Sequence, residues 1–227
     1  MNYCKTVNTD EIETIIGYKF KNKDLLITAF THASYTNEHK EDSNYERLEF
    51  IGDAVLGYVI GMYLYFSFPE KKEGELTKRR ASIVSAKTLS KIIDDNDLIK
   101  YLRIGDGKAD ADITESEKVK SDIFESIVGA MVIDNDKNIG IAEKFILKFL
   151  EKYINNEYID YKSKILEYCA KNKLQWELKT QKNNMDCHSC LFTSKLFINH
   201  KFISEGIGSN KRNAETDACK KVYKKIF

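Results

Sequence analysis

Proline is almost missing from this sequence: Pro69 is the only one in 227 residues, and it falls in a charged segment, FPEKKEGE. No internal repeat or low-complexity segment is evident, which excludes fibrous and linker-like classes. Cysteine is sparse as well. The five cysteines (Cys4, Cys169, Cys187, Cys190, Cys219) are odd in number and scattered, so they do not form a disulfide framework, and a reducing compartment is the simpler reading. Cys187 and Cys190 have the C-x-x-C spacing of zinc or redox sites. A zinc site needs a second ligand pair, which His200 alone does not supply, so solvent and core thiols are expected. No apolar run is expected to approach the roughly 20 residues that span a bilayer. The amino terminus, MNYCKTVNTDE, has no basic flank followed by an apolar stretch, so no secretory signal is expected. The chain is expected to act without a membrane in the compartment where it is made, the cytoplasm, the alternative being a signal of another kind that sends it elsewhere.

A large net charge is also absent, but the total of +1 conceals an asymmetry. From Asp160 onward there are 14 Lys and Arg against 7 Asp and Glu, which leaves 22 against 28 in residues 1–159. A basic tail (+7) on an acidic body (−6) suggests two modules with different partners, a polyanion for the tail and cations for the body. On charge alone, an ordinary solvated surface is equally open.

The first 150 or so residues read as successive helices. Ile12, Ile15 and Ile16 share a face that Gly17 would stop, and Asn22 would cap a helix carrying Leu25, Leu26, Ala29 and Phe30. A polar stretch, Thr36 to Asn44, precedes a long apolar helix from about Tyr45 to Phe66. Further helices are expected over Leu76–Asp94, Lys118–Asp134 and Ile139–Tyr153, with a Gly- and Asp-rich loop at Ile104–Asp112. The pattern then changes. An amphipathic helix over Tyr161–Asn172, with Ile165, Leu166, Cys169 and Ala170 inward, is followed by β-like runs at Gln175–Gln181, Cys190–Ile198 and Lys201–Gly206. Asn183-Asn184 and Asn199-His200 supply turns, and a last helix spans Lys211 to Ile226 with Ala214, Ala218, Val222 and Ile226 inward. The expected architecture is an all-α domain over residues 1–155 and a small α+β domain, helix, three strands, helix, over 160–227.

Chemistry concentrates in Glu46-Arg47-Leu48-Glu49-Phe50-Ile51-Gly52-Asp53. Helical spacing puts Glu49 and Asp53 on one side, on a stripe continued by Leu56 and Ile60, so the acids are expected on the inward face. Asp122 and Glu125 repeat the pattern three residues apart, and Gly129 on their stripe would let another backbone come close. Two such helices side by side would gather four carboxylates, which need a cation to offset their repulsion. Oxygen ligands without His or Cys favour Mg²⁺ or Mn²⁺. Acids at this spacing are also common on solvated faces, and each pair alone leaves that alternative open.

ERLEFIGDAVL (46–56) resembles the signature of the ribonuclease III family. AFTHASYTNE (29–38), EGELTKRRASIVS (73–85) and SDIFESIVGAMVID (121–134) occur in that family's order and spacing. The segments DYKSKILEYCAKNK and SEGIGSNKRNAETDACKKVYKKIF resemble its double-stranded-RNA-binding domain. The resemblance covers essentially the whole chain. It implies a homodimeric, Mg²⁺-dependent endoribonuclease that hydrolyses double-stranded RNA to staggered 5′-phosphate and 3′-hydroxyl ends. The work implied is processing of ribosomal and messenger precursors or degradation of duplexes; no small-molecule substrate is implied. By the same resemblance Glu49, Asp53, Asp122 and Glu125 match the catalytic metal-binding acids. Asp53 and Glu125 would be most directly catalytic, with Glu49, Asp122 and Glu125 holding the central ion, for which Mn²⁺ can substitute. Glu46 and Glu73 match auxiliary acids. Tyr45 stands where the family often has Asn, with no expected effect on chemistry. In the basic domain Lys164, Glu167, His188, Lys211 and Arg212 match RNA-facing positions; Asp186 adds negative charge near His188 where the family commonly has Gly-Pro. Phe50 is a candidate to insert into a partner subunit, the alternative being an ordinary core aromatic. Two rival readings are a non-catalytic duplex-binding protein and a thiol-regulated factor using Cys187 and Cys190.

Overall fold

The computed structural model describes residues 7–40, 43–106, 110–155, 160–183 and 191–226. The chain divides into two compact units, residues 1–156 and 157–227.

The first unit is helical. Its elements are α1 (Thr9–Ile16), α2 (Lys23–Ala29), α3 (Ala33–His39), α4 (Glu46–Ser67), α5 (Glu73–Ile83), α6 (Ala86–Asp95), α7 (Asp110–Glu115), α8 (Glu117–Asp134) and α9 (Gly140–Asn155). Several boundaries have a visible local cause. Gly17 ends α1 in the left-handed region at φ 75°, and the Asn22 side chain accepts from the Asp24 N–H to start α2. The expected single helix over Leu76–Asp94 is instead α5 and α6. The Ser85 side chain accepts from the Thr88 N–H and restarts the helix after a break at Val84 and Ser85. The polar stretch at Thr36 is not a linker either: α3 ends there, capped at its start by the His32 ring, which accepts from the Ser34 N–H.

The core is organised around α8. Ile123, Phe124, Ile127, Val128, Ala130 and Met131 are fully buried, as befits a helix apolar on most sides. Burying each large side chain contributes about 1.5–3 kcal/mol. Its two ends are tied by charge. Lys120 reaches Asp94 at 2.9 Å, and buried Asp134 accepts from the Tyr18 hydroxyl (2.7 Å) and the N–H groups of Lys21 and Asn22. The most extensive helix pairing in this unit is α4 on α8. Along α4 the buried stripe is Leu48, Gly52, Leu56, Val59, Ile60 and Leu64. Opposite it Phe50, Tyr58, Met62, Tyr65 and Phe66 are exposed, Phe50 by 76%. Phe50 is therefore not a core aromatic. One expectation is corrected here: α4 is long and apolar enough by composition to cross a membrane, though 28% of its most apolar window is buried inside the protein.

The second unit comprises α10 (Tyr161–Lys171), β1 (Trp176–Asn183), β2 (Leu191–Ile198), β3 (Lys201–Gly208) and α11 (Lys211–Ile226). The strands form an antiparallel sheet in the order β1-β2-β3. Asn199 and His200 both take positive φ in the turn between β2 and β3, as a two-residue hairpin of this twist requires. Alternation in the strands buries Leu196 and Ser194, and Leu196 packs with Ile165 and Cys169 of α10 and Ala218, Cys219 and Val222 of α11. Ala170 and Ile226, expected inward, are exposed because the buried arc of each helix is narrower than the apolar pattern. β3 lies directly on α11: a Cβ at Gly206 would overlap the backbone of Ala214 and Ala218. Cys169 and Cys219 are free, buried thiols, while Cys187, His188 and Cys190 lie outside the described residues.

Candidate active site

Two glycines bring the acid-bearing helices together. A Cβ at Gly52 of α4 would overlap the carbonyl of Glu125, and a Cβ at Gly129 of α8 would overlap the carbonyl of Leu48. Each helix thus presses a glycine onto the other's backbone, which holds the axes close enough for short carboxylates to meet.

Three acids do meet. One carboxylate oxygen from each of Glu49, Asp122 and Glu125 lies within 4.8 Å of the others. Asp122 is buried, while Glu49 and Glu125 are half-buried. Asp53 is exposed and stands outside this group, but its charge is felt: after burial, it is the largest cause raising the Glu125 carboxyl to about 8. The expectation that Glu49 and Asp53 face inward is corrected by rotation. The buried stripe runs through Leu48 and Gly52, one residue earlier in each case, so both acids flank the helix contact rather than enter it. Burial and then Asp122 raise the Glu49 pKa too. Carboxylates that resist ionisation because they crowd one another are short of positive charge.

Positive charge comes from a residue that sequence reasoning missed. The Lys118 Nζ donates to Asp122 Oδ2 at 2.6 Å and lies 3.8 Å from Glu49 Oε1. The signal was present as an i,i+4 pair on one helix face, but such pairs are ordinary. Tyr45, expected to have no effect on the chemistry, stands beside the acids. It is buried; burial first, and then the charges of Asp122, Glu49 and Glu46, push its pKa well above the usual range, which marks it as a neighbour of the acids. The segment around His32 positions it: the Tyr45 N–H donates to the Thr31 carbonyl at 3.0 Å, and the His32 ring stands edge-on to the Tyr45 ring at 5.8 Å. Burial holds the His32 pKa below its ordinary value.

The remaining candidates lie apart from this cluster. Glu46, first residue of α4, and Glu73, first residue of α5, are both exposed. In the second unit Lys211 and Arg212 open the 16-residue α11 and are exposed, where unpaired N–H groups and the helix dipole favour anions. Lys164 pairs with Glu167 on α10 at 3.3 Å. His188 falls outside the described residues.

Three carboxylate oxygens with no nitrogen or sulfur among them suit a hard divalent ion. Around octahedral Mg²⁺ with bonds of about 2.1 Å, neighbouring ligand oxygens are about 3.0 Å apart and opposite ones about 4.2 Å, so the side chains would draw closer to close on one ion.

Comparison with known proteins finds relatives of both units. The model of the ribonuclease-III-like family matches residues 22–154, and that of the double-stranded RNA binding motif matches residues 161–226. Ribonuclease 3 of Clostridium perfringens is 35% identical over 98% of this chain and 95% of its own length. Ribonuclease 3 of Borreliella afzelii is 38% identical over 92% of this chain and 87% of its own. The solved nuclease domain of ribonuclease III from Campylobacter jejuni superposes with a TM-score of 0.59 at 36% identity, covering 64% of this chain and 98% of that one.

Proposed function

The chain belongs to the ribonuclease III family, and on that premise we propose that its acid cluster is the centre at which an endoribonuclease hydrolyses both strands of duplex RNA. The observation that carries this reading is the convergence of Glu49, Asp122 and Glu125 across the α4–α8 contact.

Glu49, Asp122 and Glu125 would hold Mg²⁺, or Mn²⁺ in its place, as oxygen ligands. A divalent ion there polarises a phosphodiester and lowers the pKa of water for attack in line with the leaving oxygen. Asp53 stands at the exposed edge of the cluster, where it is open to water and RNA, and its charge acts directly on Glu125. These two acids are therefore the pair assigned to the reacting groups. Lys118 holds Asp122 before an ion binds, and the buried Tyr45 lies beside the same acids. Glu46 and Glu73 serve as auxiliary acids, each exposed at a helix start in the same unit. The products are 5′-phosphate and 3′-hydroxyl ends.

Residues 1–155 are assigned to catalysis and residues 160–227 to RNA binding. Lys211 and Arg212 meet backbone phosphate, and Lys164, Glu167 and His188 face the minor groove, a mode that reads A-form shape more than sequence. The protein works as a homodimer through α4, whose exposed Phe50, Tyr58, Tyr65 and Phe66 form an apolar surface of the kind a partner covers. The Campylobacter nuclease domain has a region involved in dimer formation. The cytoplasm is the proposed site of action, with ribosomal and messenger precursors or foreign duplexes as substrates. Incubating duplex RNA with pure protein and Mg²⁺ and sequencing the ends tests the reading. Staggered pairs of 5′-phosphate ends are expected; intact duplex would refute it.

A further inference from the structure

Two lysines on α8 face acids, and they are held very differently. Lys120 is locked: its side chain is only 9% exposed, between Asp94 at 2.9 Å and Glu115 at 3.7 Å. Lys118 touches equally important acids, Asp122 at 2.6 Å and Glu49 at 3.8 Å, yet its side chain is 74% exposed. Its ammonium meets one buried and one half-buried acid, while most of its side chain is open to water.

We propose that Lys118 is the resident counter-ion of the acid cluster, neutralising Glu49 and Asp122 until a divalent cation displaces it, and that this competition sets the affinity for the cation. The inference rests on the cluster being the metal site. Three carboxylates within 4.8 Å would repel one another in an uncharged pocket, and a fixed cation removes that cost before metal arrives. A lysine suits the task better than an arginine locked by two parallel bonds, because an ammonium is a point charge on a flexible stem. Leaving requires no repacking, since the side chain is already mostly solvated. A divalent ion bound to the same oxygens would repel the ammonium and drive it outward.

Mn²⁺ binding to the full-length protein without RNA, followed by the paramagnetic resonance of the free ion, tests this directly. Lys118→Met should bind Mn²⁺ about fivefold more tightly than the natural protein, the scale of one partly exposed ion pair. Lys118→Arg should stay within about twofold of it, because the charge is kept. In EDTA the Met variant should melt below the natural protein, and the two should converge at saturating Mn²⁺. Unchanged or weaker Mn²⁺ binding by Lys118→Met would overturn the proposal, because a competing charge must oppose the ion. Asp122→Asn separates the two levels of the argument. If it binds Mn²⁺ as well as the natural protein does, the metal-site reading itself falls and takes this inference with it.

Discussion

Gly52 of α4 rests against the main-chain carbonyl of Glu125, so closely that no Cβ fits between them. The contact places the backbone of one proposed ligand under the helix that carries another, Glu49. Gly52→Ala should therefore wedge α4 from α8, lower stability by about 1–3 kcal/mol as overpacking does, and weaken Mn²⁺ binding together with it. Thermal melts and metal titration on the same sample check this. Gly57→Ala, where a Cβ meets nothing within 4 Å, should leave metal binding unchanged and raise stability by up to about 1 kcal/mol through helix propensity.

The Glu125 carboxyl, raised to about 8 by burial and by Asp53, makes the metal-free protein sensitive to alkali. Its unfolded counterpart ionises near the ordinary 4.5. The folded state therefore binds the extra proton between those values, and stability falls as pH rises through that window. Metal binding requires the ionised form, so affinity should climb over the same range. Melts in EDTA from pH 5 to 8.5 should show a declining midpoint, reversed by Mg²⁺ most strongly at the alkaline end. Glu125→Gln should flatten the EDTA curve.

Lys211 and Arg212 are predicted to act through phosphate charge rather than shape. Replacing both by Ala in the full-length protein should weaken duplex binding across sequences. The slope of log affinity against log salt should fall by roughly one to two. Filter binding between 50 and 250 mM salt measures it, and a slope equal to the natural protein's would remove these residues from the interface.

Phe50 is 76% exposed, so Phe50→Glu should leave the fold of one subunit intact while placing charge in the proposed dimer surface. Light scattering should then report a monomer where the natural protein is a dimer. A Phe50→Glu protein that stays dimeric would move the interface elsewhere.

Much of this architecture was legible because its signals are periodic. The helices around Ile12, Leu25 and Ile127 and the three strands followed from apolar spacing, and Gly17, Asn22 and Asn199-His200 marked their own turns. Ser85 was overlooked because a lone serine inside an apolar pattern reads as a tolerated helix residue, yet its hydroxyl starts a new helix. The site was legible only in part. Spacing put Glu49 beside Asp53 and Asp122 near Glu125, but periodicity cannot fix which flank of a helix meets its neighbour. Glu49 turns toward Asp122 and Glu125, and Asp53 is left at the rim. Lys118 was hidden because its pair with Asp122 is a commonplace helix contact, and Tyr45 was named but discounted because its place beside the acids comes from tertiary packing.

Cleavage by this protein is assigned above all to the acid cluster as the catalytic metal centre. Duplex RNA cleavage by Glu125→Gln, in Mg²⁺ and alongside a binding measurement, tests that most directly. The substitution keeps size and removes the charge, so RNA affinity should remain while turnover drops by about a hundredfold or more, the scale of losing a group that acts in the transition state. Near-normal turnover by this variant would contradict the assignment.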